Sequence, residues 1–151
     1  MPKFVSDRDV TFFKGIAREL VDDIVQTSLV LFKININETK VNIYGESMNK
    51  TWYPGVEVFG LIDKEPESAR YEGFGLDTDQ TVTFKLDRWM LEEKGIYPEV
   101  GDIIKWNEGY FEIDNTNEIQ LVGGQSYNNF SIVCSTFMVS KSNLNIEERI
   151  K

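Results

Sequence analysis

The spacing of apolar residues changes period once along this chain. Val10, Phe13, Ile16, Ala17, Leu20, Val21 and Ile24 recur every three or four positions, which places them on one stripe of a helix. Arg8, Lys14, Arg18, Asp22 and Asp23 fall largely off that stripe. Ser6 stands where a side chain caps the first turn, and Asp7 and Asp9 suit the positive end of the helix dipole. The pattern predicts a helix from about Asp7 to about Gln26, packed as a plug on one side of a β core or against a neighbouring subunit. After Thr27 the period falls to two. Val30, Phe32, Ile34 and Ile36 then share one face of a predicted strand, Ser28 to Ile36. Asn37-Glu38-Thr39 reads as a turn, and Lys40 to Tyr44 as its partner strand. Gly45 to Gly55 is polar and irregular.

Val56, Val58 and Ile62 alternate with Glu57, Phe59 and Leu61. A strand apolar on both faces suits a barrel wall that is also covered from outside. Asp63 to Asp79 reads as a long loop holding Tyr71 and Phe74. Thr81 to Leu86 alternates cleanly, with Val82, Phe84 and Leu86 inward. Asp87 opens a short helix that Gly95 stops. A hairpin follows: Pro98 and Gly101-Asp102 introduce it, and Asn107-Glu108-Gly109 divides Ile103–Trp106 from Tyr110–Ile113. Glu118 to Val122 and Phe130 to Val139 supply the last strands. The predicted fold is mainly β: a small antiparallel β-barrel or sandwich with an N-terminal α-helix and one short inserted helix. Residues 1–139 form one predicted domain. Residues 140–151 form a polar tail with Leu144, Ile146 and Ile150 as isolated anchors, expected to order only against a neighbour.

Composition narrows the chemistry. The chain has no histidine and one cysteine, so it cannot build a Ser-His-Asp or Cys-His device, a histidine-containing zinc site or an internal disulfide. Cys134 reads as a small buried hydrophobe. The adjacent acids Asp22-Asp23, Glu92-Glu93 and Glu147-Glu148 diverge by about 100° on a helix and make no carboxylate pair. Asp77-Thr78-Asp79 lacks the glycine and closing glutamate of a calcium loop. No catalytic, cofactor-binding or metal-binding residue is expected, and no enzyme. The net charge of −9 opposes ordinary binding to a phosphate backbone. No apolar run is long enough to cross a bilayer, and no basic-then-apolar leader opens the chain, so no membrane partner is expected. Trp52, Tyr53, Tyr71 and Phe74 lie in predicted loops and are residue types found at interface hot spots. With Leu144 and Ile146 they are the candidate interface residues.

Several segments also resemble one family. Tyr44-Gly45-Glu46, Phe59-Gly60-Leu61-Ile62-Asp63-Lys64-Glu65-Pro66, Thr81 to Leu86, and Gly101-Asp102-Ile103-Ile104 with Tyr110-Phe111-Glu112-Ile113 stand in order between Lys40 and Asn145. In order and spacing they resemble the neck (head-completion, head-closure) proteins of T-even-like contractile-tailed bacteriophages. The resemblance implies a virion structural protein made in the host cytoplasm and built into the neck. It would form a homo-oligomeric ring after DNA packaging, close the portal exit and offer a platform to the tail. The implied partners are a head–tail adaptor or portal protein and a tail-terminator protein, with duplex DNA passing through the ring without specific binding. The family brings no cofactor and no reaction. A different class is a small protein- or carbohydrate-binding β module of a phage tail or fibre, using its loop aromatics for stacking. A third is an enzyme built on two distant carboxylates.

Overall fold

Six strands close on themselves in the computed structural model, which describes residues 6–37, 40–41, 47–64, 68–72, 75–120, 129–141, 144 and 146. Helix α1 (Asp7–Glu19) runs on into a π-helical turn, Leu20–Val25. The strands are β1 (Ser28–Phe32), β2 (Lys40–Val41), β3 (Ser47–Asn49), β4 (Val56–Lys64), β5 (Ser68–Glu72), β6 (Gly75–Asp79) and β7 (Thr81–Asp87). Helix α2 (Arg88–Lys94) precedes β8 (Ile103–Trp106), β9 (Gly109–Gln120) and β10 (Asn129–Val139). The barrel order is β1-β4-β7-β10-β9-β8 and back to β1, antiparallel throughout. The fold is thus the barrel, and not the sandwich, of the two predicted architectures.

Alternation explains the interior. Val82, Phe84 and Leu86 of β7 point inward and meet Ile132 and Cys134 of β10, Phe111 and Ile113 of β9, and Leu29 and Leu31 of β1. Phe84 sits at the centre, edge-on to Phe111 at 5.6 Å and to Trp106 at 6.3 Å between ring centroids. The plug is α2, whose Met90 and Leu91 join this core; α1 contributes nothing to it. Asp87 accepts hydrogen bonds from the backbone N–H of Trp89 and Met90, and Gly95 ends α2 with φ +67°, as the sequence predicts. Gly60 lets β4 approach its neighbours closely. A Cβ there would lie 2.8 Å from Leu86 Cδ2 and 3.0 Å from the Lys85 carbonyl oxygen.

Four expectations need correction. In β1 the inward residues are Leu29 and Leu31, while Val30, Phe32 and Ile34 face a second cluster outside the wall with Trp52, Ile103 and Tyr110. Both faces of β1 are apolar, so alternation alone could not say which faces inward. Lys40–Val41 pairs with Ser47–Asn49 in a separate ribbon, and the neighbours of β1 are β4 and β8. The predicted loop Asp63 to Asp79 is largely strand: β4 runs to Lys64, and β5 pairs with β6. Their mixed, mostly polar residues carry no apolar alternation. Finally, β9 runs unbroken through the polar stretch Asp114 to Asn117, with a bulge where Asp114 has no partner between Ile113 and Asn115.

One buried ion pair joins these parts. Asp102 is fully buried. Its carboxylate accepts hydrogen bonds from Lys33 Nζ at 2.8 Å, from the Ile34 backbone N–H at 2.9 Å and from the Glu99 backbone N–H at 2.8 Å. Its carbonyl accepts from the Ile113 N–H at 2.9 Å. Lys33 Nζ also donates to the Tyr97 carbonyl at 2.8 Å and to Glu99 Oε2 at 2.7 Å. Burial pulls the Lys33 pKa down, but hydrogen bonds to Asp102 and Glu99 outweigh it, and the net shift is upward. Nearby, the Tyr97 hydroxyl donates to Glu118 Oε1 at 2.6 Å. That hydrogen bond, with some burial, pushes the Tyr97 phenol up to about 12.

Replacing Lys33 with Met removes the only cation on Asp102 among the described residues and leaves its charge buried. The Lys33→Met variant should lose about 3 kcal/mol in urea unfolding, near the low end for breaking a buried pair because Lys33 is itself partly exposed. A second test uses pH. Both Lys33 and Tyr97 hold their protons more tightly folded than unfolded, so their contribution is complete below pH 10 and is lost as pH rises through their folded values. The melting temperature should fall between pH 10 and 12, and fall less in Tyr97→Phe.

Candidate interaction surface

Helix α1 starts where the sequence says it should. Ser6 Oγ accepts a hydrogen bond from the Asp9 N–H at 3.2 Å and donates one to the Asp9 carboxylate at 2.8 Å, a short version of the capping box. At its other end the hydrogen-bond spacing widens. Gln26 donates its backbone N–H to the Val21 carbonyl at 3.0 Å and takes a left-handed conformation, φ 47°, which turns the chain toward β1.

Arg18 fastens this helix to α2. Its guanidinium makes paired hydrogen bonds of 2.7 and 2.8 Å to Glu93, a longer one of 3.4 Å to Asp22, and lies 5.7 Å from the centre of the Trp89 ring. The bond to Glu93 outweighs a small burial cost and raises the Arg18 pKa. Only one edge of the apolar stripe touches the barrel. Val10 and Val21 are buried and Ala17 is half-buried.

The remainder of the stripe is open. Phe12, Phe13, Ile16, Leu20 and Ile24 are all exposed, Phe12 by 64% and Ile24 by 70%. Phe12, Ile16, Leu20 and Ile24 follow one another at intervals of four, and Phe12 and Phe13 stand edge to face with centroids 6.0 Å apart. Isolated exposed apolar residues are ordinary, but a continuous ridge of them marks an interaction surface. Beside the ridge, a trough of about 190 Å³ opens between the helix and the outer wall of the barrel. Its floor and sides are Ala17, Leu20, Val21, Leu61, Ile119 and Phe130, and Lys85, Asp87 and Ser131 stand on it as polar groups. Burial raises the Asp87 carboxyl pKa, against the opposing pull of the Met90 and Trp89 amides. Such a surface can bind apolar side chains; among the described residues no group of three or more Cys, Asp or Glu is placed to hold a metal ion.

The residues singled out from the sequence lie elsewhere. Trp52 is buried, donates its indole N–H to the Gly101 carbonyl at 3.1 Å and belongs to the outer cluster. Leu144 and Ile146 pack against the same cluster. These two residues thus pack on the outer face of their own β1 and β8, which carries Phe32 and Ile103; the rest of the predicted tail, apart from residues 140–141, lies outside the described residues. Tyr53 is exposed. Tyr71 lies in β5 opposite Leu76, and Phe74 is outside the described residues. The helical stripe is legible in the sequence, but Phe12 falls outside the predicted set and the uncovered part of the stripe is not marked. The available signal was its width, since an apolar arc from Phe12 round to Val21 exceeds what one packing contact covers.

Comparison with protein-family models gives no match, and comparison with curated proteins gives none. Among solved structures the chain is similar to one from the virion of a native gene transfer agent (GTA) particle. The two share 15% identity with a TM-score of 0.46, over 74% of this chain and 93% of that one.

Because Ile16 touches solvent and Val21 does not, the two should respond oppositely to charge. Ile16→Asp should leave stability within about 0.5 kcal/mol of the parent in urea unfolding. Val21→Asp buries an unpaired carboxylate and should lower the melting temperature sharply.

Proposed function

We propose that this protein is a structural component of a tailed-phage virion, built into the neck as a ring between the head portal and the tail. The observation that carries this reading is the uncovered apolar face of α1, which calls for a protein neighbour. The segments that resemble the neck family support it from another side. Phe59 to Lys64 lies in β4, Thr81 to Leu86 in β7 and Tyr110 to Ile113 in β9. Gly101-Asp102 forms the buried anchor itself. Tyr44-Gly45-Glu46 and Glu65-Pro66 lie outside the described residues.

In this reading the ring closes the head after DNA packaging and offers the tail its platform. A portal or head–tail adaptor protein lies on one side and a tail-terminator protein on the other. Charge fits a passive bore. Each subunit adds −9, and a ring multiplies that figure. Its field repels phosphate over the roughly 8–10 Å that salt leaves unscreened. Lysine contacts would instead grip passing DNA with a salt-dependent affinity.

Removing the gene tests the role. Lysates should then contain DNA-filled heads without tails, beside finished free tails, and supplying the protein in trans should restore whole particles. Complete infectious particles without the protein would overturn the proposal. The purified protein should show no binding to duplex DNA in an anisotropy titration at low salt. Tight, salt-sensitive binding would overturn the passive bore.

A further inference from the structure

Resting on the ring reading above, we infer that the occupant of the trough beside α1 is a second copy of this chain, which inserts Phe12 or Phe13 of its own α1.

Size is the first support. A 150 Å³ apolar cavity accepts a benzene molecule, so a trough of about 190 Å³ has room for one phenyl ring and its methylene. Of the three exposed phenylalanines among the described residues, Phe12 and Phe13 stand side by side in one turn of helix, and Phe137 lies in β10.

Geometry makes the contact intermolecular. Helical side chains lean back toward the helix N-terminus. Phe12 and Phe13 therefore lean away from the trough of their own chain, which opens beside Ala17, Leu20 and Val21, one to two turns further on. Neither ring lines the trough of its own chain, so each is free to enter the trough of another copy. A ridge that fits a different surface on the next copy is a heterologous contact, the kind that propagates into a closed ring when the rotation allows.

Charge agrees. Asp9, exposed in the first turn, stands three and four residues before Phe12 and Phe13 on the same side of the helix. On the trough stand Lys85, whose ammonium makes a loose ion pair of 3.8 Å with the exposed Asp63, and Asp87, whose carboxylate is engaged by the Trp89 and Met90 N–H groups of α2. Seating the ring brings an acid of one copy to a base of the next. In a chain of net charge −9, such a pair selects one docking direction against general repulsion.

Two proteins, each with one added cysteine, test this directly. Cys134 is fully buried, and burial pushes its thiol up to about 12, so an added surface cysteine is the reactive one. Asp9→Cys and Lys85→Cys proteins, mixed and treated with a short bis-maleimide, should cross-link to each other and not to themselves. Phe12→Ser with Phe13→Ser should weaken association about 30-fold, the effect of losing a hot spot, with an unchanged melting temperature. Cross-linking of the Asp9→Cys protein to itself would mean a symmetric helix pair and overturn the seating. Assemblies that form without either cross-link, or a protein that stays monomeric at every concentration, would overturn it too. The neck reading is tested apart from these, by the filled, tail-less heads.

Discussion

The fold hangs on a carboxylate that has no access to water. Asp102 is buried without exception, and four chain segments supply its surroundings: Lys33 and Ile34 after β1, Tyr97 and Glu99 before β8, Trp52 through the neighbouring Gly101, and Ile113 in β9. Burying a charge costs several kcal/mol unless a counter-charge and hydrogen bonds offset it. Here the carboxylate has both, from one ammonium and two backbone N–H groups. The arrangement fixes where β1 meets β8, which is the seam at which the barrel closes. It also sets the position of Trp52, around which the outer cluster and the two tail anchors Leu144 and Ile146 assemble.

Closure has a consequence for association. A closed barrel has no free strand edge, so it cannot recruit a neighbour by adding strands to its wall. What the wall offers a neighbour is side-chain surface; strand edges remain on the ribbons β2–β3 and β5–β6 outside it. One apolar surface is the face of α1, which Arg18 holds to α2 through Glu93 while Val10 and Val21 anchor its inner edge. The ridge is therefore presented on a fixed helix, and little conformational entropy remains to be lost when a partner binds.

What the sequence revealed depends on how many faces of an element carry information. In β7, Val82, Phe84 and Leu86 alternate with Thr81, Thr83 and Lys85, and only one orientation buries the apolar set. The same holds for α2 with its cap Asp87 and stop Gly95, and for the turn at Asn107 and Glu108, both at positive φ. In β1 alternation is ambiguous, because Leu29 and Leu31 compete with Val30 and Phe32 for the interior. In β5 and β6 it is ambiguous for the opposite reason, since neither face is consistently apolar. The ridge on α1 shows a third limit. Periodicity says that Ile16 and Leu20 lie on an apolar face, but the barrel is already plugged by Met90 and Leu91 of α2, and no local pattern records that the place is taken.

The position of β1 between β4 and β8 also sets an order of events during synthesis. Its pairing with β4 joins Val30 to Glu57, whereas its pairing with β8 joins Val30 to Lys105. Contacts so far apart in the chain form slowly, because the intervening loop must be closed first. Until Lys105 has left the ribosome, one edge of β1 stays unpaired next to a helix whose apolar face is already complete. A nascent chain thus exposes its apolar ridge before it has a barrel, at the stage most prone to misassembly.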